Sequence, residues 1–366
     1  MVLIRERVFS VVQTSFSGDI GRLVSIVSEK CLLLFNINLT FYLYVKITRE
    51  NIIKLSALSF MTSLWKSFVT IEKNLAEKLI AAQFPELTPV HLEFLGEGWD
   101  NSSFLVNDAI VFRFPRREVA VNLIQHEVNI LPYVAPMLPQ PVPIPSYLGV
   151  PSESYAWPFA GYPLVAGKTS DCFLLTLEER KANIKNLALF LKALHAVKVE
   201  PLLERGAPPC DPLDRLNFDK KRGDLLQHLE KIKELELMEV ESLVRFTQEF
   251  RPQYSSFIPS FVHGDLYARH LLLNESKQLC GIIDWGDMHI GNPAVDLIIV
   301  HSFLPPEAHT AFLKYYGAVE ESQWLLAKAR ALYSSALITV YGHDIHDRSL
   351  INAGLQGLEF IKAGLL

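Results

Sequence analysis

Two kinds of hydrophobic pattern follow one another in the first half of this chain. Asn107-Asp108 is a hairpin turn signal, and the run Ala109–Pro115 after it is predicted to be a strand. The next stretch spaces its apolar residues three or four apart, which predicts a helix; these residues are Val121, Ile124, Val128 and Leu131. The pattern therefore predicts antiparallel strands followed by a helix.

The second half is predicted to be mainly helical. Leu175–Val197 and Leu225–Phe250 both have apolar residues at helical spacing, and the second stretch is strongly charged. Two short apolar runs, Leu271–Leu273 and Gly281–Ile283, are separated by a polar turn and predict a small hairpin. A sheet-containing part is thus followed by a larger helical part.

A proline-rich stretch, Pro139–Pro145, separates these two parts and is predicted to be an extended connector. It is followed by a predicted strand near Tyr155–Phe159 and by a turn at Ala160–Pro163. A helix is also predicted to begin near Thr70 and to end at Pro85.

Composition and charge restrict the class of protein. The 366 residues are 49% hydrophobic, enough to bury the cores of two lobes. The net charge of −5 gives no basic surface for nucleic acid. The four cysteines contain no CxxC pair, which favours reduced thiols in a cytoplasmic protein over a zinc site or a disulfide framework; they are Cys31, Cys172, Cys210 and Cys280.

Residues 1–69 precede the pattern of the two lobes. Their apolar run Cys31–Val45 is interrupted by polar residues and is short for a bilayer span. It also begins late for a secretory signal. We therefore expect an upstream extension with little catalytic role rather than a membrane anchor.

The chemistry is concentrated in residues 261–296. His263-Gly264-Asp265 precedes the first strand of the small hairpin, and Asp284 follows the second strand. The two carboxylates are therefore predicted to lie at one edge of the hairpin. Phosphoryl transfer needs one carboxylate to receive the acceptor proton and another to hold a hard cation. Taken singly, Asp265 could instead cap a turn, and Asp284 could close the hairpin.

With His270 and the sequence Ile-Asp-Trp-Gly-Asp at 283–287, these motifs resemble the aminoglycoside phosphotransferase family over residues 71–366. The resemblance implies an α+β, bilobal, protein-kinase-like fold. The expected lobes are a small N-lobe of antiparallel sheet plus helix at 70–158 and a larger, mainly helical C-lobe with the hinge at 159–366. It also implies that Asp265 is the catalytic base and that Asp284 and His270 bind Mg²⁺. Kinases carry Asn in place of His270, so a packing histidine is the alternative.

The resemblance extends to the nucleotide side. Gly96 and Gly98 correspond to a glycine-bearing turn over the phosphates of ATP or GTP, with Ser102 and Ser103 after it. Arg113 stands where kinases have a phosphate-pairing lysine, and Glu127 is its expected partner on the helix. A surface role for Arg113 is the alternative. Backbone groups near Phe159 and Gly161 are expected to meet the purine edge.

The acceptor is expected to be a hydroxyl of a small molecule. Gly264 and the short segment before Asn292 lack the features of a regulated protein kinase. A protein substrate is therefore not expected. An aminoglycoside antibiotic is favoured; its acidic walls would come from Asp265 and Asp287 and from a glutamate run, Glu234, Glu236, Glu239, Glu241 and Glu249. A macrolide or metabolite alcohol is the alternative, and a nucleotide-binding pseudokinase is the alternative of a different class.

Overall fold

The computed structural model of the protein describes residues 69–98 and 100–365. The predicted extension at 1–69, with its apolar run Cys31–Val45, lies outside the described residues except for Val69. Within the described ranges, no helix is both long enough and apolar enough to cross a bilayer. All the described residues belong to one compact structural unit.

The N-lobe is built on a five-stranded antiparallel sheet. Its strands are β1 (Leu92–Glu97), β2 (Asn101–Val106), β3 (Ile110–Pro115), β4 (Tyr147–Gly149) and β5 (Phe159–Pro163). They are ordered β1-β2-β3-β5-β4. Asn107 and Asp108 have φ values of 50° and 55°, which these two residue types tolerate, and they form the turn between β2 and β3.

Two helices pack on opposite faces of this sheet: α1 (Lys73–Gln83) and α2 (Glu118–Val134). Alternate residues of β3 point to opposite faces, so Phe112 and Phe114 pack with α1 while Arg113 faces α2. The ring of Phe114 stacks on that of Phe159 at 4.5 Å between centroids. The predicted strand and helix are both present.

The structure corrects two expectations, namely that Pro139–Pro145 connects the two lobes and that the N-lobe ends at residue 158. The strand expected near Tyr155–Phe159 is β5, which runs from Phe159 to Pro163 and pairs with both β3 and β4. The sheet therefore extends beyond the expected end of the N-lobe. Pro139–Pro145 leads from α2 to β4 inside the N-lobe rather than between the lobes. Its Pro141 carbonyl also accepts a hydrogen bond from Ile282 N, at 3.1 Å.

The C-lobe contains two small sheets. The first has the order β6-β8-β9, formed by β6 (Lys168–Thr169), β8 (Leu271–Leu273) and β9 (Leu279–Ile282). The second pairs β7 (Ser260–Val262) with β10 (His289–Gly291). The predicted hairpin is β8 and β9, and Leu271, Leu273 and Leu279 belong to the main C-lobe core with Trp285.

Nine α-helices of the described residues complete the C-lobe. They are α3 (Leu177–Lys181), α4 (Ile184–His195), α5 (Glu200–Glu204), α6 (Phe218–Glu234), α7 (Glu241–Glu249), α8 (Ile298–Phe303), α9 (His309–Tyr316), α10 (Glu321–Asp344) and α11 (Arg348–Ala363). Short 3₁₀ helices lie at Pro85–Leu87, Ala135–Met137, Ser170–Cys172, Ala268–His270, Pro293–Val295 and Pro306–Ala308.

Each of the two long helices predicted for the C-lobe is divided in two. The break between α3 and α4 lies at Asn183, whose side chain accepts a hydrogen bond from Leu279 N at 2.7 Å and donates to Lys277 O at 2.9 Å. A tertiary contact to the hairpin thus interrupts an otherwise helical pattern. The break between α6 and α7 includes Glu236, at φ 54°.

Candidate active site

Arg113 connects the sheet of the N-lobe to its helix. Its Nη1 lies 2.9 Å from Glu127 Oε1, and the Glu127 side chain is fully buried. Burial raises the pKa of Glu127, and the charge of Arg113 opposes this effect. The strand-to-helix ion pair expected from the sequence is therefore formed.

The second terminal nitrogen of Arg113 reaches the C-lobe. Arg113 Nη2 lies 3.1 Å from Asp284 Oδ1, and His270 Nε2 lies 3.3 Å from Asp284 Oδ2. Desolvation alone would raise the pKa of Asp284, but Arg113 and His270 outweigh it and hold that pKa well below its usual range. Asp284 also has a φ of 66°, a left-handed conformation uncommon outside glycine. The cation and the predicted metal ligand are thus brought together across 171 positions of sequence.

Asp265 lies on the loop that follows β7. The backbone N–H groups of His263 and Gly264 donate to Asp296, at 2.8 and 2.9 Å. Gly264 has a φ of 87°, and a Cβ there would collide with the carbonyl oxygen of Asp287. None of the described residues donates a hydrogen bond to the half-buried Asp265 carboxylate, which leaves its oxygens available to a substrate.

Two buried histidines connect this loop to the hairpin. His263 Nε2 donates to Ile283 O at 3.0 Å, and burial lowers the pKa of His263. His270 Nδ1 donates to the Asp265 carbonyl at 2.7 Å, so its Nε2 is the nitrogen that faces Asp284. The pKa of His270 is raised despite its burial, because Asp284 stabilises the imidazolium.

Asp296 is supported by a residue that the sequence did not reveal. His195, at the end of α4, donates from Nε2 to Asp296 Oδ2 at 3.1 Å and accepts from the Tyr316 hydroxyl at 2.8 Å. Burial would raise the pKa of Asp296, but the hydrogen bonds from His195 and from the backbone N–H of Gly264 lower it. A single histidine at the end of an apolar helix carries no sequence signal for this role.

A buried arginine beside Asp265 was also missed. Arg215 Nη1 lies 2.6 Å from Asp211, and its Nη2 forms an ion pair with Asp287. The carboxylate of Asp287, expected to be an acidic wall for the acceptor, is therefore already paired. Residues 211–215 are not helical, so the spacing of four between Asp211 and Arg215 gave no sequence signal for this cluster.

The glycine-bearing turn joins β1 to β2 as expected. Gly96 has a φ of 146° at a bulge in β1, and Gly98 N donates to Asn101 O at 2.9 Å. Ser102 Oγ donates to Glu97 Oε1 at 3.2 Å. Ser103 pairs with Arg113 across β2 and β3. Two ion pairs, Arg116–Glu97 and Arg117–Asp100, connect this turn to the end of β3.

Phe159 and Gly161 do not occupy the position predicted for them. Both belong to β5, an internal strand, so their backbones pair with neighbouring strands rather than with a ligand. The Phe159 side chain is buried among aromatic rings, and a Cβ on Gly161 would lie 2.7 Å from the Phe112 ring. The chain leaves this sheet at Leu164, whose N–H still donates to Ala109 O at 2.8 Å.

The glutamate run is exposed at all five positions, which are Glu234, Glu236, Glu239, Glu241 and Glu249. The first four surround the junction of α6 and α7, about 24 Å along α6 from its first residue. Glu241 forms an ion pair with Lys233 at 3.1 Å. No hydrogen bond or ion pair among the described residues joins the run to the vicinity of Asp265.

Comparison with known proteins agrees with this geometry. A sequence model described as the phosphotransferase enzyme family matches residues 91–332. The solved GDP and kanamycin complex of APH(2'')-IIia is 25% identical, with a TM-score of 0.58 over 80% of this chain and 99% of that chain. Macrolide 2'-phosphotransferase type I is 19% identical, with a TM-score of 0.52 over 79% of this chain and 98% of that one, and it shares the fold.

By sequence, the uncharacterized protein YcbJ of Bacillus subtilis (strain 168) is 26% identical over 65 residues, or 18% of this chain. The chain thus spans about a fifth (21%) of the curated relative that it matches. The family match covers well over half of the chain and includes Arg113, Glu127, Asp265 and Asp284. The chain therefore belongs to the phosphotransferase enzyme family and has the bilobal, kinase-like fold predicted from its sequence.

Proposed function

We propose that this protein transfers the γ-phosphate of ATP or GTP to a hydroxyl group of a small molecule. The observation that carries this proposal is the convergence on Asp284, whose two oxygens lie 3.1 Å from Arg113 Nη2 and 3.3 Å from His270 Nε2. A cation for phosphate and a carboxylate for a metal ion are the two electrostatic elements that phosphoryl transfer requires.

The residues around Asp284 fit Mg²⁺. The described residues contain no cluster of three or more His, Cys, Asp or Glu side chains suited to a metal ion. Mg²⁺ is usually held by only one or two carboxylates, together with nucleotide phosphates and water. Asp284 is a partly exposed carboxylate of this kind, and His270 offers Nε2 beside it when deprotonated. When bound, Mg²⁺ neutralises phosphate charge.

The carboxylate of Asp265 is the proposed base. Asp265 accepts the proton of the acceptor hydroxyl while the oxygen of that hydroxyl forms a bond to the γ-phosphorus. The bond from that phosphorus to the bridging oxygen breaks, and the electron pair leaves with the nucleoside diphosphate. The loop is suited to this role because Asp296 fixes its backbone while the Asp265 side chain has no hydrogen-bond donor among the described residues.

The nucleobase of ATP or GTP is proposed to contact the backbone just after β5. Gly161 lies inside the sheet, so the first backbone groups outside the strand follow Pro163. The related enzyme solved with GDP and kanamycin supports a nucleotide and a polyhydroxylated acceptor. An aminoglycoside is thus the acceptor that the relative favours, although Asp287 and the glutamate run do not form the acidic wall expected for it.

Turnover measurements test the proposal. The full chain is mixed with Mg-ATP or Mg-GTP and with neutral, cationic and anionic hydroxyl compounds, and both nucleoside diphosphate and phosphorylated product are measured. We expect product with at least one acceptor, and a rate lower by about 10²–10⁴-fold with Asp265→Asn. Saturable nucleotide binding without any product would instead identify the pseudokinase alternative. Absence of Mg-nucleotide binding would contradict the proposal altogether.

A further inference from the structure

A cavity lies beside the loop that carries Asp265. Its volume is about 190 Å³, and its lining comes from the 3₁₀ helix Ser170–Cys172 and from α3, α8 and α11. Ala268, three positions after Asp265, lines it as well. Leu174 and Asn352 belong to the lining and are exposed, so the cavity opens to solvent. At about 30 Å³ per water molecule it holds about six waters, which suits a small ligand.

Arg180, on α3, is the cation in this lining. The residue is only 9% exposed. Its guanidinium carbon lies 5.0 Å from the centre of the Phe303 ring and 5.4 Å from the centre of the Phe360 ring. These two rings hold the guanidinium in a fixed position and leave its positive charge in place.

Only part of the hydrogen-bonding capacity of Arg180 is used by the described residues. Nη1 donates to Phe303 O at 3.2 Å, at the carboxyl end of α8, where a cation is favourable. Nε is enclosed without an acceptor, and none of the described residues accepts from Nη2. Unpaired donors on a buried arginine are costly, and a ligand that accepts from them removes this cost.

No carboxylate in the described ranges forms an ion pair with Arg180. Asp171 is the acidic side chain of the lining, and Arg269 Nη2 pairs with its Oδ2 at 2.7 Å. The other oxygen of Asp171 is enclosed by protein, so it does not face a ligand. Burial lowers the pKa of Arg180 to about 10, and no nearby carboxylate opposes that effect. The lining therefore presents an uncompensated positive charge, which attracts an anion.

Two amides on α11 add neutral donors to the lining. Asn352 and Gln356 are one helical turn apart and share a face with Phe360, whose ring contacts Arg180. Neither amide forms a hydrogen bond with another of the described residues. Guanidinium and amide N–H groups together recognise the oxygens of a phosphate or a carboxylate.

The same lining holds the far end of the loop after β7. Ser170 Oγ donates to Ala268 O at 2.5 Å. Arg269 pairs with Asp171 and with Asp347, and Asp347 caps the first turn of α11. A ligand that fixes these walls therefore also stabilises the loop that carries the proposed base.

We propose that this cavity is an effector site for a small anion, a phosphate or a carboxylate, which binds Arg180, Asn352 and Gln356 and stabilises residues 263–270. The inference goes beyond the proposed function and does not depend on it, because neither anion binding nor loop stability requires turnover. The volume suits one small anion rather than a nucleotide.

Calorimetry on the full chain measures binding. Inorganic phosphate and succinate are the probes, and they distinguish a phosphate site from a carboxylate site. We expect at least one probe to bind. Arg180→Gln should weaken that binding tenfold or more because it removes the charge, and Ala353→Leu should do the same because it adds bulk to the lining.

Arg205→Gln is the matched control. Arg205 also donates to a backbone carbonyl, Pro201 O at 2.9 Å, and its guanidinium carbon lies 4.1 Å from the centre of the Tyr133 ring. It does not line the cavity, so its variant should bind the probe like the parent. Thermal melting shows whether each variant folds, and Ala353→Leu decides if Arg180→Gln does not fold.

Failure of both probes to bind would overturn the site, as would parental affinity in Ala353→Leu and in any folded Arg180→Gln. The titrations are repeated with Mg²⁺ and a β,γ-imido analogue of ATP or GTP. Competition with the analogue would assign the anion to the proposed nucleotide site and would also overturn the inference. If the analogue itself does not bind, the kinase proposal fails, and the anion titrations still test this cavity.

Hydrogen exchange read by mass spectrometry tests the effect on the loop. A saturating probe should slow exchange in peptides that cover residues 263–270 of the parent but not of Ala353→Leu. Unchanged exchange in the parent, with the probe bound, would contradict the effector role.

Discussion

Arg113 uses its two terminal nitrogens for two different carboxylates, one in each lobe. This double contact distinguishes it from a surface cation, which was the alternative reading of the sequence. It also separates it from lysine, whose single nitrogen cannot make both contacts in the same way.

We expect Arg113→Ala to lower kcat by about 10²–10³-fold, the scale of losing one donor to a developing oxyanion. Arg113→Lys is expected to recover to within about tenfold of the parent, because it keeps the charge but not the fork of donors. Steady-state kinetics with Mg-nucleotide measure both variants. Arg245→Ala, an exposed arginine on α7, is the control. Parental kinetics for Arg113→Ala would exclude a catalytic contribution.

Replacing Asp265 and replacing Asp284 by asparagine are expected to impair different properties, the turnover rate and Mg-nucleotide binding. Asp265→Asn should lower kcat by about 10²–10⁴-fold while nucleotide affinity changes little, because it removes a base on the acceptor side. Asp284→Asn should weaken Mg-nucleotide binding, because it removes a charged oxygen ligand. Nucleotide titrations at several Mg²⁺ concentrations separate the two. Equal losses of affinity would show that these roles are misassigned.

At the scale of elements, the loop after β7 depends on one carboxylate from the segment that follows β10. Asp296 accepts two backbone N–H groups of the loop and is itself supported by His195 from α4. The loop after β7, helix α4 and the segment that carries Asp296 therefore meet at this single buried side chain. Removal of the Asp296 carboxylate leaves the two backbone N–H groups of the loop without their acceptor.

We expect Asp296→Asn to lower the free energy of unfolding by about 3–5 kcal/mol, as for other buried charges that lose their pairing. The effect depends on pH. Because the pKa of Asp296 is lowered in the folded protein, its contribution is fully present above the unfolded pKa of about 3.9 and is lost as the pH falls through the folded pKa.

Urea unfolding at a series of pH values measures this contribution. The difference between the parent and Asp296→Asn should be large at neutral pH and should shrink below about pH 4. Asp108→Asn, at an exposed turn where either residue tolerates positive φ, is the control. A difference that grows on acidification would contradict the assignment.

For the whole molecule, the described structure begins at Val69, and its first helix, α1, packs directly on the N-lobe sheet. We therefore expect a chain that starts at Met61 to fold and to bind Mg-nucleotide like the full chain. Circular dichroism melting and nucleotide titration measure the two properties. An insoluble shortened chain beside a soluble full chain would show that residues 1–60 are needed for folding.

The sequence alone determined the local features and the order of the motifs. Asn107-Asp108 indicated a hairpin because few residue pairs accept two positive φ values, and the period of two in β3 placed Arg113 opposite its phenylalanines. Asp265 and Asp284 were predicted at one edge because a short hairpin leaves its ends close together. These are properties of neighbouring residues, so the sequence expresses them.

Only the tertiary structure decided which distant groups meet. β5 lies between β3 and β4, which buried Phe159 and Gly161 and removed them from the predicted purine contact. Arg215 pairs with Asp287 across 72 positions, so a carboxylate expected to face the acceptor is neutralised. His195 has no local signal, because the packing of α4 sets its neighbours. The sequence thus determined which residue types carry the expected chemistry, and the packing of distant elements determined which of them meet.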